Sequence, residues 1–408
     1  MTHTYPEPIS YWQRTFRASA PAHEFPKDAD VVVIGAGVHG ASTAYWLARL
    51  GARPLVLERG LVANGASGRN GGLCVAGPAA DYATLCADEG RERARMIAQD
   101  TLAGYRMLCE VIAEERIDAA VRPHGHLSLA LSEAELAGMR ASATLLREDG
   151  IDAQVVDAAG LRHWLDVEIG ADVAGGKFNA DSAQMHSGDL VHGLLTAAVR
   201  HGARICVDTE VSAVEPAPDG VRLYTSRGVL DAAAVCVALN AWTAQLIPAL
   251  RKTVVPVRGQ VLAYAASPRI FDVGIGVSVT PTGEYGQQMP SGEIVFGGCR
   301  ANAQRQDVGL YDVDSSVEVQ RSLEDVLPRL FPKIALGLVT DRWSGTMAFT
   351  PDHNPVFGRL GSMPVFYAGG YSGHGMPYAM CFGRWLAESA MKRELVPGAA
   401  TYSPERFW

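Results

Sequence analysis

Three glycines at positions 35, 37 and 40, followed by an acid at Glu58, have types and a spacing that suit the holding of a dinucleotide. Gly35 permits a tight turn, Gly37 lets the backbone approach a pyrophosphate, and Gly40 lets a helix lie tightly on a strand. The helix that opens at Val38 and His39 adds oriented N–H groups and the positive end of its dipole. Glu58 stands about 20 residues on, where a carboxylate binds ribose hydroxyls and repels a 2′-phosphate. Arg59 follows it as a further candidate contact. A second glycine-rich loop comes at once: Gly65-Ala66-Ser67-Gly68-Arg69-Asn70-Gly71-Gly72. Backbone so poor in side chains suits passage under a second phosphate and a flat ring. Ser67 and Arg69 are candidates for phosphate and Asn70 for a ring edge, although such a loop is also ordinary punctuation between elements.

These residues need elements to position them. Ala29 to Ile34 is a β-branched run that reads as a buried parallel strand. An Ala-rich helix from Ala41 to Leu50 follows, stopped by Gly51, and Arg53 to Glu58 reads as a second strand. The same α/β character returns in a helix over residues 190–200, strands at 204–209 and 233–239, and a strand at 364–368. That last strand runs into Gly369-Gly370-Tyr371-Ser372-Gly373-His374-Gly375, with a helix expected from about Met376 to Glu388. Residues 83–170 are helix-rich with one alternating strand at 126–131, and residues 252–340 alternate strand signals with Gly/Pro turns. The expected fold class is α/β (α+β overall): a Rossmann-like domain of glutathione-reductase type assembled from 28–82, 175–250 and 341–395. A substrate domain with a mostly antiparallel sheet and helices is inserted as 83–174 and 251–340. Segments 1–27 and 396–408 are terminal extensions.

Composition narrows the function classes. A net charge of −8 leaves no basic footprint for nucleic acid, and no run of about 18 apolar residues predicts a membrane span. The seven cysteines are scattered and never spaced CxxC, which argues against a disulfide framework or a zinc site. His124 and His126 flank Gly125 and read as turn histidines rather than metal ligands, so no metal is expected. The first 26 residues carry Arg14 and Arg17 without an apolar signal core, so the expected location is cytoplasmic. The 43 glycines are in excess, and 13 of them fall in the loops just described or around the carboxyl-terminal strand.

The combination of Gly35 to Gly40, Leu55 to Gly60 and Asn64 to Gly72 resembles the D-amino-acid oxidase superfamily of FAD enzymes. Its nearest likeness is the γ-glutamylputrescine oxidase-like group, beside sarcosine and glycine oxidases. The likeness continues through Pro256 to Gln260, Phe296 to Gly298, Thr350 to Gly358 and Gly370 to Met376. It implies FAD contacts at Ala66, Gly71, Gly72, Leu73, Val211, Gly345, Tyr371, Gly373, His374, Gly375 and Met376. The N-terminus of the last helix would then face the flavin. It also places Thr350-Pro351-Asp352 near the flavin, where a local turn explains the same residues. Sarcosine oxidases tether FAD through a cysteine just before this motif. Residues 343–349 contain none, and 67–73 contain no histidine, so FAD is expected to be non-covalent.

On the substrate side the candidates are Arg258, Gln260, Tyr285, Gln287 and Arg300, with His374 as a possible chemical participant or a cap. The resemblance implies oxidation of a primary or secondary amine, an amino acid or polyamine derivative, with hydride passing to flavin and the imine hydrolysed. Several relatives carry an oxygen-promoting lysine where this chain has Ile294 or Val295, and no lysine lies between Lys252 and Lys333. The electron acceptor is therefore O2, a quinone or another carrier. Two other readings stay open: a relative oxidising the C–O bond of a 2-hydroxy acid, and a flavoprotein subunit that only transfers electrons. The oligomeric state is not written in the sequence.

Overall fold

In the computed structural model, which describes residues 8–26 and 28–408, the strand Asp28–Ile34 divides its side chains between two cores. Val31 and Val33 enter one apolar cluster, Val32 and Ile34 the other. A strand buried on both faces takes parallel neighbours that helices can cover. Leu55–Leu57 and Gly228–Val237 flank it in parallel. The sheet continues through Arg204–Cys206 at one edge, and through Val365–Gly369 to Val356–Arg359 at the other. Antiparallel strands Gly220–Thr225 and Val211–Ala217 complete eight.

Helices Val38–Arg49, Ser187–Arg200 and Ala379–Lys392 pack together over this sheet. Small residues set their distance. A Cβ on Gly40 would stand 1.8 Å from the Gly35 carbonyl oxygen, and one on Gly383 would stand 2.2 Å from Ser42 Oγ. The last helix begins at Ala379 rather than Met376, because residues 376–378 form a turn ahead of it.

The second sheet also has eight strands. Their order is Val339–Phe349, Val255–Tyr264, Ile294–Gly297, Glu284–Gln288, Gly274–Val277, His126–Ala130, Gly175–Asn179 and Ala153–Asp157. Every pair is antiparallel except Gly274–Val277 with His126–Ala130, as a mostly antiparallel sheet requires. Helix Val317–Leu330 buries Val319, Leu323, Val326, Leu327 and Leu330 in this sheet's own core. Two expected boundaries cut across the sheet: Gly175–Asn179 and most of Val339–Phe349 lay in segments assigned to the nucleotide domain. Pairing with His126–Ala130 and Val255–Tyr264 draws them to the second sheet. No helix among the described residues is long and apolar enough to cross a membrane.

Candidate active site

A cavity of about 990 Å³ runs from the carboxyl ends of the parallel strands to the inner face of the second sheet. Glu58 marks one end. Its Oε2 accepts the Ala36 N–H (2.9 Å) and its Oε1 the Gly60 N–H (3.0 Å), and burial raises its pKa. Thr209 N–H donates to the Glu58 carbonyl (2.8 Å), which brings Val211 to the same end. Arg59 lies 4.5 Å over the Trp242 ring, and both line the wall.

Along the middle, Gly35 holds φ +103°, a conformation that disfavours any side chain. Gly37 leaves room for Ser67, whose Oγ accepts the Val38 N–H (2.9 Å) at the start of the helix. The Ser67 hydroxyl proton stays available to a phosphate beside that positive helix end. Gly40 is not on the wall; its work is the helix–strand contact.

The second loop is shaped by its own side chains and by the N-terminal segment. Asn70 Oδ1 accepts the Gly72 N–H (2.8 Å) and Asn70 Nδ2 donates to the Ser67 carbonyl (3.2 Å). Asn70 itself lines the cavity, so these bonds shape the loop without removing the residue from the wall. Arg69 lines the same wall. Its guanidinium is buried and donates to the carbonyls of Asn64, Pro8 and Ser344. Gly72 faces away from the cavity, where a Cβ would stand 2.2 Å from Gln287 Nε2. Helix Tyr11–Thr15 clamps the outside of the loop: Trp12 Nε1 donates to the Asn70 carbonyl (2.6 Å) and Ser10 Oγ to the Gly68 carbonyl.

At the far end Ala66, Asn70, Gly71, Leu73, Gly345, Tyr371, Gly373, His374, Gly375 and Met376 reach the wall. His374 Nε2 lies 2.8 Å from the Gly77 carbonyl, and burial holds its pKa low, so the ring is a neutral donor. The residues lining this end come from the 371–377 loop, which leads directly into the last helix; Ala379 and Met380 themselves are packed in the core.

Of Arg258, Gln260, Tyr285, Gln287 and Arg300, Tyr285 lines the cavity. Its ring lies on Gly71, where a Cβ would meet it at 2.7 Å, and burial pushes its hydroxyl up to about 12. Gln287 is buried behind the loop; its Nε2 donates to the carbonyls of Gly71, Gly72 and Met185, and its Oε1 accepts from Arg122. Arg258 pairs with Asp307 and Asp312, and Gln260 donates to Asp307 and Ser316. Arg300 stacks over Phe349. Thr350 to Asp352 closes a turn off the wall, with Asp352 paired to Arg406. Cys74 and Cys299 are buried free thiols away from the cavity.

The FAD dependent oxidoreductase family model, DAO, matches residues 30–389. The chain belongs to the DAO family. The DAO-family protein is 28% identical over 372 residues to a γ-glutamylputrescine oxidoreductase of Escherichia coli, covering 88% of this chain and 83% of that one. Among solved structures, an L-proline dehydrogenase from P. horikoshii superposes with a TM-score of 0.79 at 20% identity, covering 94% and 98% of the two chains. A glycine oxidase from Geobacillus kaustophilus superposes with 0.76 at 22% identity, covering 91% and 96%. These two show the shared fold. The DAO-family protein is thus an FAD-dependent oxidoreductase of an amine- and amino-acid-oxidising family.

FAD fits this wall. The helix end, the glycine turn and Glu58 suit a pyrophosphate and a ribose, and two buried polar atoms wait for partners. His39 Nε2 and Tyr371 Oη have no hydrogen-bond partner among the described residues, although both residues line the cavity with their rings stacked 3.9 Å apart. Burial holds the His39 pKa down at about 3. No cysteine is on the wall. Sequence reasoning passed over Asn240 and Lys177. Asn240 Oδ1 accepts the Gly370 N–H (3.1 Å), tying two parallel strand ends together at the cavity. The positive φ of Asn240, 46°, has no signal in the sequence beyond the residue type.

Proposed function

We propose that this protein oxidises the CH–NH bond of a primary or secondary amine, an amino acid or polyamine derivative. The observation that carries the reading is continuity: one cavity joins the dinucleotide cradle at Glu58 to a sheet face bearing Tyr285, His126 and Ser128. The named relatives act on amines or amino acids, which favours this reading over a 2-hydroxy acid. FAD, when bound, accepts the hydride equivalent from the carbon beside the nitrogen. Gly35, Gly37, Val38, Ser67 and Glu58 hold the cofactor, and Gly71, Gly345 and residues 373–376 hold its ring end. No cysteine lines the wall among the described residues, which supports a non-covalently held cofactor.

The chain's own residues position and desolvate. Tyr285, protonated because burial holds its pKa near 12, offers an O–H to the substrate beside Gly71. His39, His126 and His374 are all kept neutral by burial, so that end of the wall favours a neutral amine without adding imidazolium charge. Orientation of the carbon against the ring is the main service of such a wall. Water then hydrolyses the imine to an aldehyde or ketone. The acceptor that restores the cofactor is O2 or another carrier; Ile294 and Val295 are buried off the wall and offer it no charge. Anaerobic bleaching of the flavin by amines but not by hydroxy acids is the expected result. Bleaching by hydroxy acids alone would overturn the reading.

A further inference from the structure

The sheet face turned into the cavity carries a pattern that the oxidation step does not use. Strand register places Tyr285, Gly276, Ser128 and Lys177 side by side on four neighbouring strands. All four reach the cavity wall. In the next row His126 pairs with Asn179, and the His126 ring covers Gly276, where a Cβ would stand 2.9 Å from it. With strands about 4.8 Å apart, three steps put the backbones of Tyr285 and Lys177 about 14 Å apart. The result is a trough floored by Gly276, the His126 ring laid over it, and Ser128. A phenol closes one end, against Gly71, and an ammonium closes the other.

Lys177 is half-buried, and its ammonium makes no hydrogen bond or ion pair with any described residue. Asp81 is the acid whose field it feels, and burial lowers the Lys177 pKa despite it. The Asp81 carboxylate is already committed to the Thr84 N–H, the Thr84 hydroxyl and the Ser142 hydroxyl. The other cations on the wall are Arg59, stacked at the Glu58 end, and Arg69, held by backbone carbonyls. A desolvated cation without a partner is unfavourable, and an anion brought by a ligand removes the penalty.

We propose that Lys177 receives a carboxylate at the far end of the substrate, so that the amine oxidised beside Tyr285 belongs to an elongated amino acid. This rests on the amine reading above. It also sets specificity: a diamine brings a second cation toward Lys177 and is rejected, while an uncharged alkylamine gains nothing there.

The test uses the FAD-loaded full chain and a homologous series of ω-amino carboxylates, alkylamines and diamines of matched length. Discrimination is read as the ratio of kcat/KM for the amino carboxylate over the alkylamine, from flavin reduction. A charge-assisted hydrogen bond makes the expected ratio about tenfold or more in the natural protein. Lys177→Arg keeps most of that ratio, and Lys177→Met brings it close to one. A natural ratio near one, or a ratio untouched in Lys177→Met, overturns the proposal. Binding of n-alkyl carboxylates, read from the perturbed flavin spectrum, gives an answer that needs no turnover. Tighter binding in the natural protein than in Lys177→Met is expected; equal binding overturns the assignment. If no amine in the series reduces the flavin, the amine reading fails, and carboxylate binding still decides the role of Lys177.

Discussion

Glu58 holds its strand end to the dinucleotide turn through two backbone N–H groups, at Ala36 and Gly60, while its carboxylate faces the cavity. Glu58→Gln keeps one acceptor and loses the charge that strengthens both bonds. FAD affinity should fall about tenfold or more, with the chain still folded, as followed by flavin fluorescence during reconstitution. An unchanged affinity would detach Glu58 from the cofactor. Glu58 and the glycines before it were legible because their work is local: turn, helix start and strand end lie within one βαβ unit. Gln287 and Arg258 were not. Their chemistry looks suitable for a pocket, but Gln287 spends its amide on Gly71, Gly72 and Met185, and Arg258 spends its guanidinium on Asp307 and Asp312. Those partners are distant in sequence, and only the folded chain reveals them.

Elements are held at the distances that glycine allows. A methyl group on Gly40 would drive the helix Val38–Arg49 away from the Gly35 carbonyl, because both contacting groups are backbone. Gly40→Ala should therefore destabilise the protein by about 3 kcal/mol or more, and flavin should be lost with it. Gly138 sits exposed within helix Glu133–Glu148, and a Cβ there meets nothing within 4 Å. Gly138→Ala should stabilise by about 0.5–1 kcal/mol, since it removes only the helix penalty of glycine. Thermal melts of the two variants should move in opposite directions; a matching shift would contradict the packing account. The strands themselves were readable from β-branched runs. Their partition between the two sheets was not: Gly175–Asn179 joins the second sheet through pairing with His126–Ala130, and no local pattern announces it. The same pairing sets Lys177 beside Ser128, a neighbour that no local pattern announces.

At the scale of the whole molecule, the N-terminal segment ties the loop of the cofactor cradle to the body of the protein, and a buried histidine fastens it. His192 Nδ1 accepts the Ala20 N–H (3.1 Å), its ring stacks on Phe16 at 4.6 Å, and burial lowers its pKa to about 4. An unfolded histidine binds its proton near pH 6.5, so between pH 6.5 and 4 the unfolded chain carries a proton that the folded chain refuses. The stabilisation is complete above about pH 6.5 and is lost as pH falls, by about 3 kcal/mol at full protonation. His192→Gln keeps an acceptor without titrating, so denaturant unfolding at successive pH values should show a shallower acid slope; an unaltered slope would contradict this. The two sheets meet round one cavity, and the account stands on what that cavity does. Anaerobic mixing of the FAD-loaded chain with an amine panel and a matched 2-hydroxy-acid panel tests it most directly. The account predicts that amines bleach the flavin and yield the aldehyde or ketone, while hydroxy acids leave it oxidised. Bleaching by hydroxy acids with amines inert, or by neither panel, would contradict it.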